Sequence, residues 1–210
     1  MTRTILACIA LLLMMAGQLD AQLLLGRAGA SIATVGGDDT TGADSRTGLT
    51  GGAALVFPLS PTVGLEVGAF YTQKGATAAE PGVDVSFRLD YIELPVMLRM
   101  GLPTSTGAIS PHFFVGGVVS FEANCEAEVS VPNTGRVTVE CDAIGLFTRS
   151  PDYGAIFGGG LDIATGGPVS ITLDVFHNFG LTTIDGTVNP GDIKNRSWSI
   201  MAGVAVDLQR

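Results

Sequence analysis

Residues 89–101 read LDYIELPVMLRMG, an apolar run that nevertheless carries Asp90, Glu93 and Arg99. Taken two at a time, the run separates into two sets. Ile92, Leu94, Val96, Leu98 and Met100 form one, while Tyr91, Glu93, Pro95, Met97 and Arg99 form the other. A period of two belongs to a β-strand, whose successive side chains point to opposite faces. One face is then aliphatic and the other carries charge. A buried charge is costly unless it is paired or hydrated, so the second face must meet partners from elsewhere in the chain.

The same period recurs along the sequence. It predicts eight strands, at approximately 23–35, 47–59, 62–74, 87–100, 110–122, 153–165, 168–180 and 195–208. Connections alternate between long (36–46, 75–86, 123–152, 181–194) and short (Ser60-Pro61, 101–109, Gly166-Gly167). Even strand number, long loops at one end and tight turns at the other describe an eight-stranded antiparallel up-and-down transmembrane β-barrel, all-β, with long loops external and short turns periplasmic. Strands of ten or more residues are long enough to cross a bilayer when tilted. Val169, Ile171, Leu173 and Val175 alternate with Ser170, Thr172, Asp174 and Phe176, and Val63, Leu65, Val67, Ala69 and Tyr71 with Gly64, Glu66, Gly68, Phe70, Thr72 and Lys74. This is apolar-out, polar-in patterning.

On that register Arg27, Glu66, Glu93 and Arg99 all point inward, and they are expected to form one interior charge network, with Asp174 or Asp207 as further members. Asp90 falls on the outer face near the external end, where an outward charge costs little. Pro95 removes one ladder bond and predicts a bulge or irregularity. Tyr71, Tyr153 and Trp198 lie near strand ends toward the long loops, where an interfacial aromatic girdle would sit.

Composition agrees. The chain of 210 residues has mean hydropathy +0.42 and net charge −9. Eleven Lys and Arg against twenty Asp and Glu exclude a nucleic-acid binder, which needs clustered basic residues. At the N-terminus, Arg3, the apolar core Ile5–Ala16 and the small residue Ala21 predict a secretory signal over residues 1–21, leaving a barrel domain over 22–210. Cys8 falls in that signal, so Cys125 and Cys141 remain as an even pair in an oxidising compartment. They flank two Val-alternating arms around Pro132-Asn133-Thr134-Gly135, predicting a hairpin stapled by a disulfide near its base; two thiols that never meet are the alternative.

GLEVGAFYTQKGA (64–76), LDYIELPVMLRMG (89–101) and PHFFVGGVVSF (111–121) resemble the small OmpX- and OmpA-like, porin-family outer-membrane β-barrel domains. The matching residues are Tyr71, Lys74, Gly75, Tyr91, Glu93, Pro95, Pro111, Gly116 and Gly117. The resemblance implies an eight-stranded barrel placed in the outer membrane of a Gram-negative bacterium by the barrel assembly machinery, and it implies no enzymatic activity.

An eight-stranded barrel is just wide enough to be filled by its own side chains. Function is therefore expected in the external loops, or on the lipid-facing wall, of a monomer surrounded by outer-membrane lipid. The 123–152 segment, preceded directly by Glu122, carries Glu126, Glu128, Glu140 and Asp142, and it is expected either to be a solvated acidic protrusion or to dock an extracellular protein or surface partner by adding a strand. No metal or cofactor is expected: DDTTGAD (38–44) lacks calcium-loop spacing, two Cys and two distant His do not make a zinc site, and IFGGGLDIATGG opens no helix. A lipid-modifying enzyme would need His177 or His112 beside a Ser or an acid, which the sequence does not provide locally. A secreted or periplasmic lipocalin-like barrel with the faces inverted, binding a hydrophobic ligand, stays open, because alternation alone does not say which face is inside.

Overall fold

The computed structural model describes residues 23–37, 44–80, 83–104, 107–131, 135–144, 148, 150–186 and 191–208. The segment read as an export signal, residues 1–21, lies outside them, as do residues 38–43 of the acidic first loop.

Nine strands follow in chain order: β1 (Leu23–Gly36), β2 (Asp44–Pro58), β3 (Val63–Glu80), β4 (Val83–Gly101), β5 (Ile109–Val131), β6 (Gly135–Glu140), β7 (Asp152–Ala164), β8 (Val169–Gly180) and β9 (Lys194–Asp207). Eight of them form a closed antiparallel ring, β1-β2-β3-β4-β5-β7-β8-β9, sealed by pairing of β9 with β1. Closure removes the unpaired edges that lipid could not hydrogen-bond. β6 stands outside the ring, paired to the distal part of β5.

Side-chain burial decides the faces. In β4, Ile92, Leu94, Val96, Leu98 and Met100 are exposed, whereas Tyr91, Glu93, Met97 and Arg99 are buried; Val96 is 48% exposed and its neighbour Met97 2%. Val169, Ile171, Leu173 and Val175 are likewise outside, and Thr172, Asp174 and Phe176 inside. The wall is aliphatic and the interior holds the charges. That overturns the inverted, lipocalin-like reading, which needs an apolar lumen.

Three strand boundaries differ markedly from the sequence expectation. Residues 75–86 were expected to be a loop, but β3 continues to Glu80 and β4 begins at Val83, so most of the segment is a hairpin. Gly75 makes the extension feasible: its φ is +127, and a Cβ there would overlap the carbonyl oxygen of Phe87. β5 likewise runs past residue 122 to Val131. The alternation ends at 122 because of a bulge: Tyr91 pairs with Glu122 and Asp90 with Asn124, leaving Ala123 as an extra residue. Below it the even-numbered residues of β5 point inward, and above it the odd-numbered ones do. Pro95, by contrast, makes no bulge. Val67 pairs with Val96 and Phe70 with Glu93, so the ladder opens at Pro95 without a change of register.

Candidate functional site: a filled barrel beneath a projecting sheet

The interior is layered. Toward the short turns, Arg27 is ion-paired with Glu66 and, at 2.9 Å, with Asp174. Arg99 reaches Glu66 at 3.1 Å and Asp162 at 2.7 Å. Arg99 also donates to His112 Nδ1 at 3.1 Å, and a guanidinium N–H only donates, so in this arrangement the proton on Nε2 goes to Asp174, 2.8 Å away. Thr172 donates to the same carboxylate at 3.0 Å. The guanidinium of Arg27 lies over the rings of Phe70 and Phe176, and that of Arg99 over Phe114. These rings, with Met97, Val118, Ile156 and Met201, form an apolar layer across the barrel.

A second polar layer lies above it. Glu93 is ion-paired with Lys74 at 2.6 Å and accepts hydrogen bonds from Ser120 (3.2 Å) and Asn178 (3.0 Å). This corrects the expectation of one network: Arg27, Glu66 and Arg99 come together, whereas Glu93 belongs to a separate cluster beyond the aromatic layer. Nearest the external mouth, Asn195 donates to the hydroxyl of Tyr91 at 3.1 Å and to Asp152 at 3.0 Å. Between the apolar layer and Glu93 remains a cavity of about 30 Å³, room for roughly one water.

The members that the sequence reading did not place in the network, His112, Asp162 and Lys74, share the inward parity of their strands. Parity was the available signal; which inward residues meet is set by inter-strand register, which spacing within a strand does not reveal.

Outside, Tyr71, Tyr153 and Trp198 are 39%, 48% and 47% exposed. Each sits where the aliphatic wall meets polar groups: the Tyr71 hydroxyl accepts from Gln73 and Arg88, the Tyr153 amide donates to Thr182, and Trp198 packs on His177 beside Phe157. Asp90 lies in the outward register but is not left to solvent. Arg88 covers it, 2.8 Å from its carboxylate. Of the two histidines, His112 belongs to the interior cluster and His177 is bounded by Phe157, Phe179 and Trp198. Neither has a serine hydroxyl as hydrogen-bond partner among the described residues.

Above the mouth, β3, β4 and β5 run on and are joined by β6, making a four-stranded sheet. Residues 121–131 of β5 alone extend for roughly 35 Å at about 3.3 Å per residue. Cross-strand register sorts its faces. Arg88, Glu126 and Glu140 align on the outer face, followed by Ser86, Glu128 and Thr138, then Ser130 and Arg136. The inner face is apolar: Leu89 and Cys125, then Phe87, Ala127 and Val139, then Val85, Val129 and Val137. Its lower part packs with Tyr91, Ile184, Ile193 and Val35, so the connection between β8 and β9 folds against the sheet. Glu122, below the bulge, pairs with Tyr91 and is not part of the outer acidic face.

Cys125 and Cys141 form a disulfide that closes a loop of sequence separation 16 at the base of the β5–β6 hairpin. Closing a loop of this length constrains the unfolded hairpin by about 3 kcal/mol in the chain-entropy account. Replacing both cysteines by serine is expected to speed protease cleavage between residues 126 and 140 by tenfold or more, with the barrel's heat-dependent gel shift unchanged. Equal cleavage rates would show that the hairpin holds without its staple.

Residues 18–186 match the outer membrane protein beta-barrel domain. The chain belongs to that family and is an integral protein of the outer membrane. Solved structures share its fold at low identity. OprG from Pseudomonas aeruginosa aligns with TM-score 0.53 and 13% identity over 90% of this chain and 96% of that one. The E. coli outer membrane protein W aligns with TM-score 0.51 and 13% identity over 91% and 100%. Neisserial surface protein A aligns with TM-score 0.50 and 13% identity over 88% and 97%. No curated protein matches the chain by sequence.

Proposed function

We propose that this protein is a surface-interaction barrel: the filled interior is an anchor, and the working part is the projecting sheet, whose last strand accepts an extended segment of an extracellular partner. The observation that carries the reading is the position of β6. It is the terminal strand of the sheet order, paired only to β5 among the described residues, and Arg136, Val137 and Thr138 are exposed.

The ladder shows which groups such a partner would meet. The Cys141 N–H donates to the Cys125 carbonyl at 3.2 Å, so Cys125 and Cys141 are a bonded pair. Bonded and non-bonded pairs alternate in an antiparallel ladder. Val139 and Val137 therefore bond back to β5, while the backbone N–H and C=O of Glu140, Thr138 and Arg136 face the open side. A row of such groups is a template for strand addition.

The test is binding of a fluorescent, uncharged Val-Thr alternating hexapeptide to the full barrel in lipid nanodiscs. Thr138→Pro removes the central open-side donor without touching a bond to β5, and proline is compatible with an edge strand. Binding that falls at least tenfold in this variant supports the reading; binding that is absent, or indifferent to the substitution, overturns it.

A further inference from the structure

The β6 edge is complementary to itself. We infer that its occupant is the β6 strand of a second copy held in an opposing membrane. This rests on the strand-accepting edge proposed above and adds the identity of the partner.

β6 reads Gly135-Arg-Val-Thr-Val-Glu140. In an antiparallel pair of two such strands centred on Thr138, Thr138 faces Thr138, Arg136 faces Glu140 at both ends, and Val137 faces Val139 twice. Two independent features select this register. It is the register that employs all three open-side residues, Arg136, Thr138 and Glu140, as bonded pairs. It also sets opposite charges directly across from each other, where cross-strand pairs interact most strongly. The charges lie on the outer face with Glu126 and Glu128, and the valines on the apolar inner face. Val137, 62% exposed in one copy, is covered by Val139 of the other. Arg136 already touches Glu128 of its own chain at 3.1 Å, with its side chain 66% exposed. An exposed pair of this kind holds the guanidinium only weakly, so it remains available to a second carboxylate.

Membrane geometry fixes the arrangement of the two copies. Outer-membrane strands tilt roughly 35–45° from the barrel axis. Two copies in one membrane run β6 in the same sense along the membrane normal, so at that tilt the strands approach antiparallel no closer than roughly a right angle. An antiparallel pair needs a two-fold axis lying parallel to the membrane plane, which points the barrels in opposite directions. The pairing therefore joins two outer membranes face to face, and the protein stays monomeric within each.

The experiment places full barrels singly in nanodiscs of two colours and counts two-colour disc pairs by single-molecule fluorescence coincidence. Wild-type discs are expected to pair. R136E alone and E140R alone each set like charges opposite one another at both ends, and each is expected to lose pairing at least tenfold. Mixing R136E discs with E140R discs is expected to restore it, because each reversed charge then faces its complement. A heat-dependent gel shift in every variant checks folding. Wild-type discs that do not pair, pairing indifferent to both reversals, or a mixture that does not recover would overturn the inference. The uncharged hexapeptide separates the two levels. If it still binds in a Thr138→Pro-sensitive way while discs do not pair, the edge takes strands but its occupant is not a second copy. If neither is seen, both readings fall.

Discussion

Arg99→Ala is expected to unfold the barrel at a markedly lower temperature than Arg88→Ala. The two substitutions remove the same group from opposite environments. Arg99 is 6% exposed and holds Glu66 and Asp162. Its loss leaves the fully buried Glu66 with Arg27 alone and takes the closest cation from Asp162, and breaking a buried pair from one side costs about 3–5 kcal/mol. Arg88 has a side chain 36% exposed and pairs with Asp90 and Glu126 at the sheet's outer face. Arg88 is the side chain that covers Asp90, so its loss opens that carboxylate to water instead of stranding it in a closed interior. Partly exposed pairs are worth about 0–1 kcal/mol, so unfolding should move little. The measurement is the temperature at which the folded band disappears on unboiled gels. Equal shifts for the two variants would refute the interior cluster as a stabilising unit.

Gly160→Ala is expected to rival that effect from a single methyl group. A Cβ at Gly160 would overlap Asp174 Oδ1 and would lie 2.5 Å from the carbonyl oxygen of Leu173 and 2.8 Å from His112 Nε2. The carboxylate can swing away only by giving up Arg27 and His112, and the carbonyl belongs to the neighbouring strand. Overpacking alone costs about 1–3 kcal/mol, before any loss from the disturbed ion pairs. Gly26→Ala is the control, because no atom lies within 4 Å of a Cβ there. It should be neutral or slightly stabilising through the unfolded chain. Matching losses in the two variants would mean that the close packing around Asp174 is not what excludes a side chain.

The barrel was legible because its signal is local. Ile92 to Met100 declares its faces within nine residues, and the placement of Tyr91, Glu93, Met97 and Arg99 follows from parity alone. What parity could not give is which inward groups meet. Glu93 and Glu66 look equivalent in sequence, yet Phe70, Phe114 and Phe176 separate them into different layers. The projecting sheet was legible only in part. Its stapled β5–β6 hairpin announced itself through Cys125, Cys141 and the alternating valines. The β3–β4 extension did not, because Gly75, Ala76, Ala78 and Ala79 are too small to show a polar and an apolar side. Phe87 then read as a strand start, and the apolar Val85 was left in the loop.

The extra residue Ala123 gives the molecule a property that composition does not express. β5 serves two solvents in succession, lipid outside the barrel and water around the sheet, and it passes between them by changing phase. Were the pairing to continue without the bulge, Glu126 and Glu128 would hang over the barrel mouth, while Ala127 and Val129 would turn to the water side. Substitutions along this strand can therefore drift within a chemical class, but its length between Tyr91's partner and Cys125 is fixed. The hairpin is specified by arithmetic: one residue more or fewer exchanges its two sides.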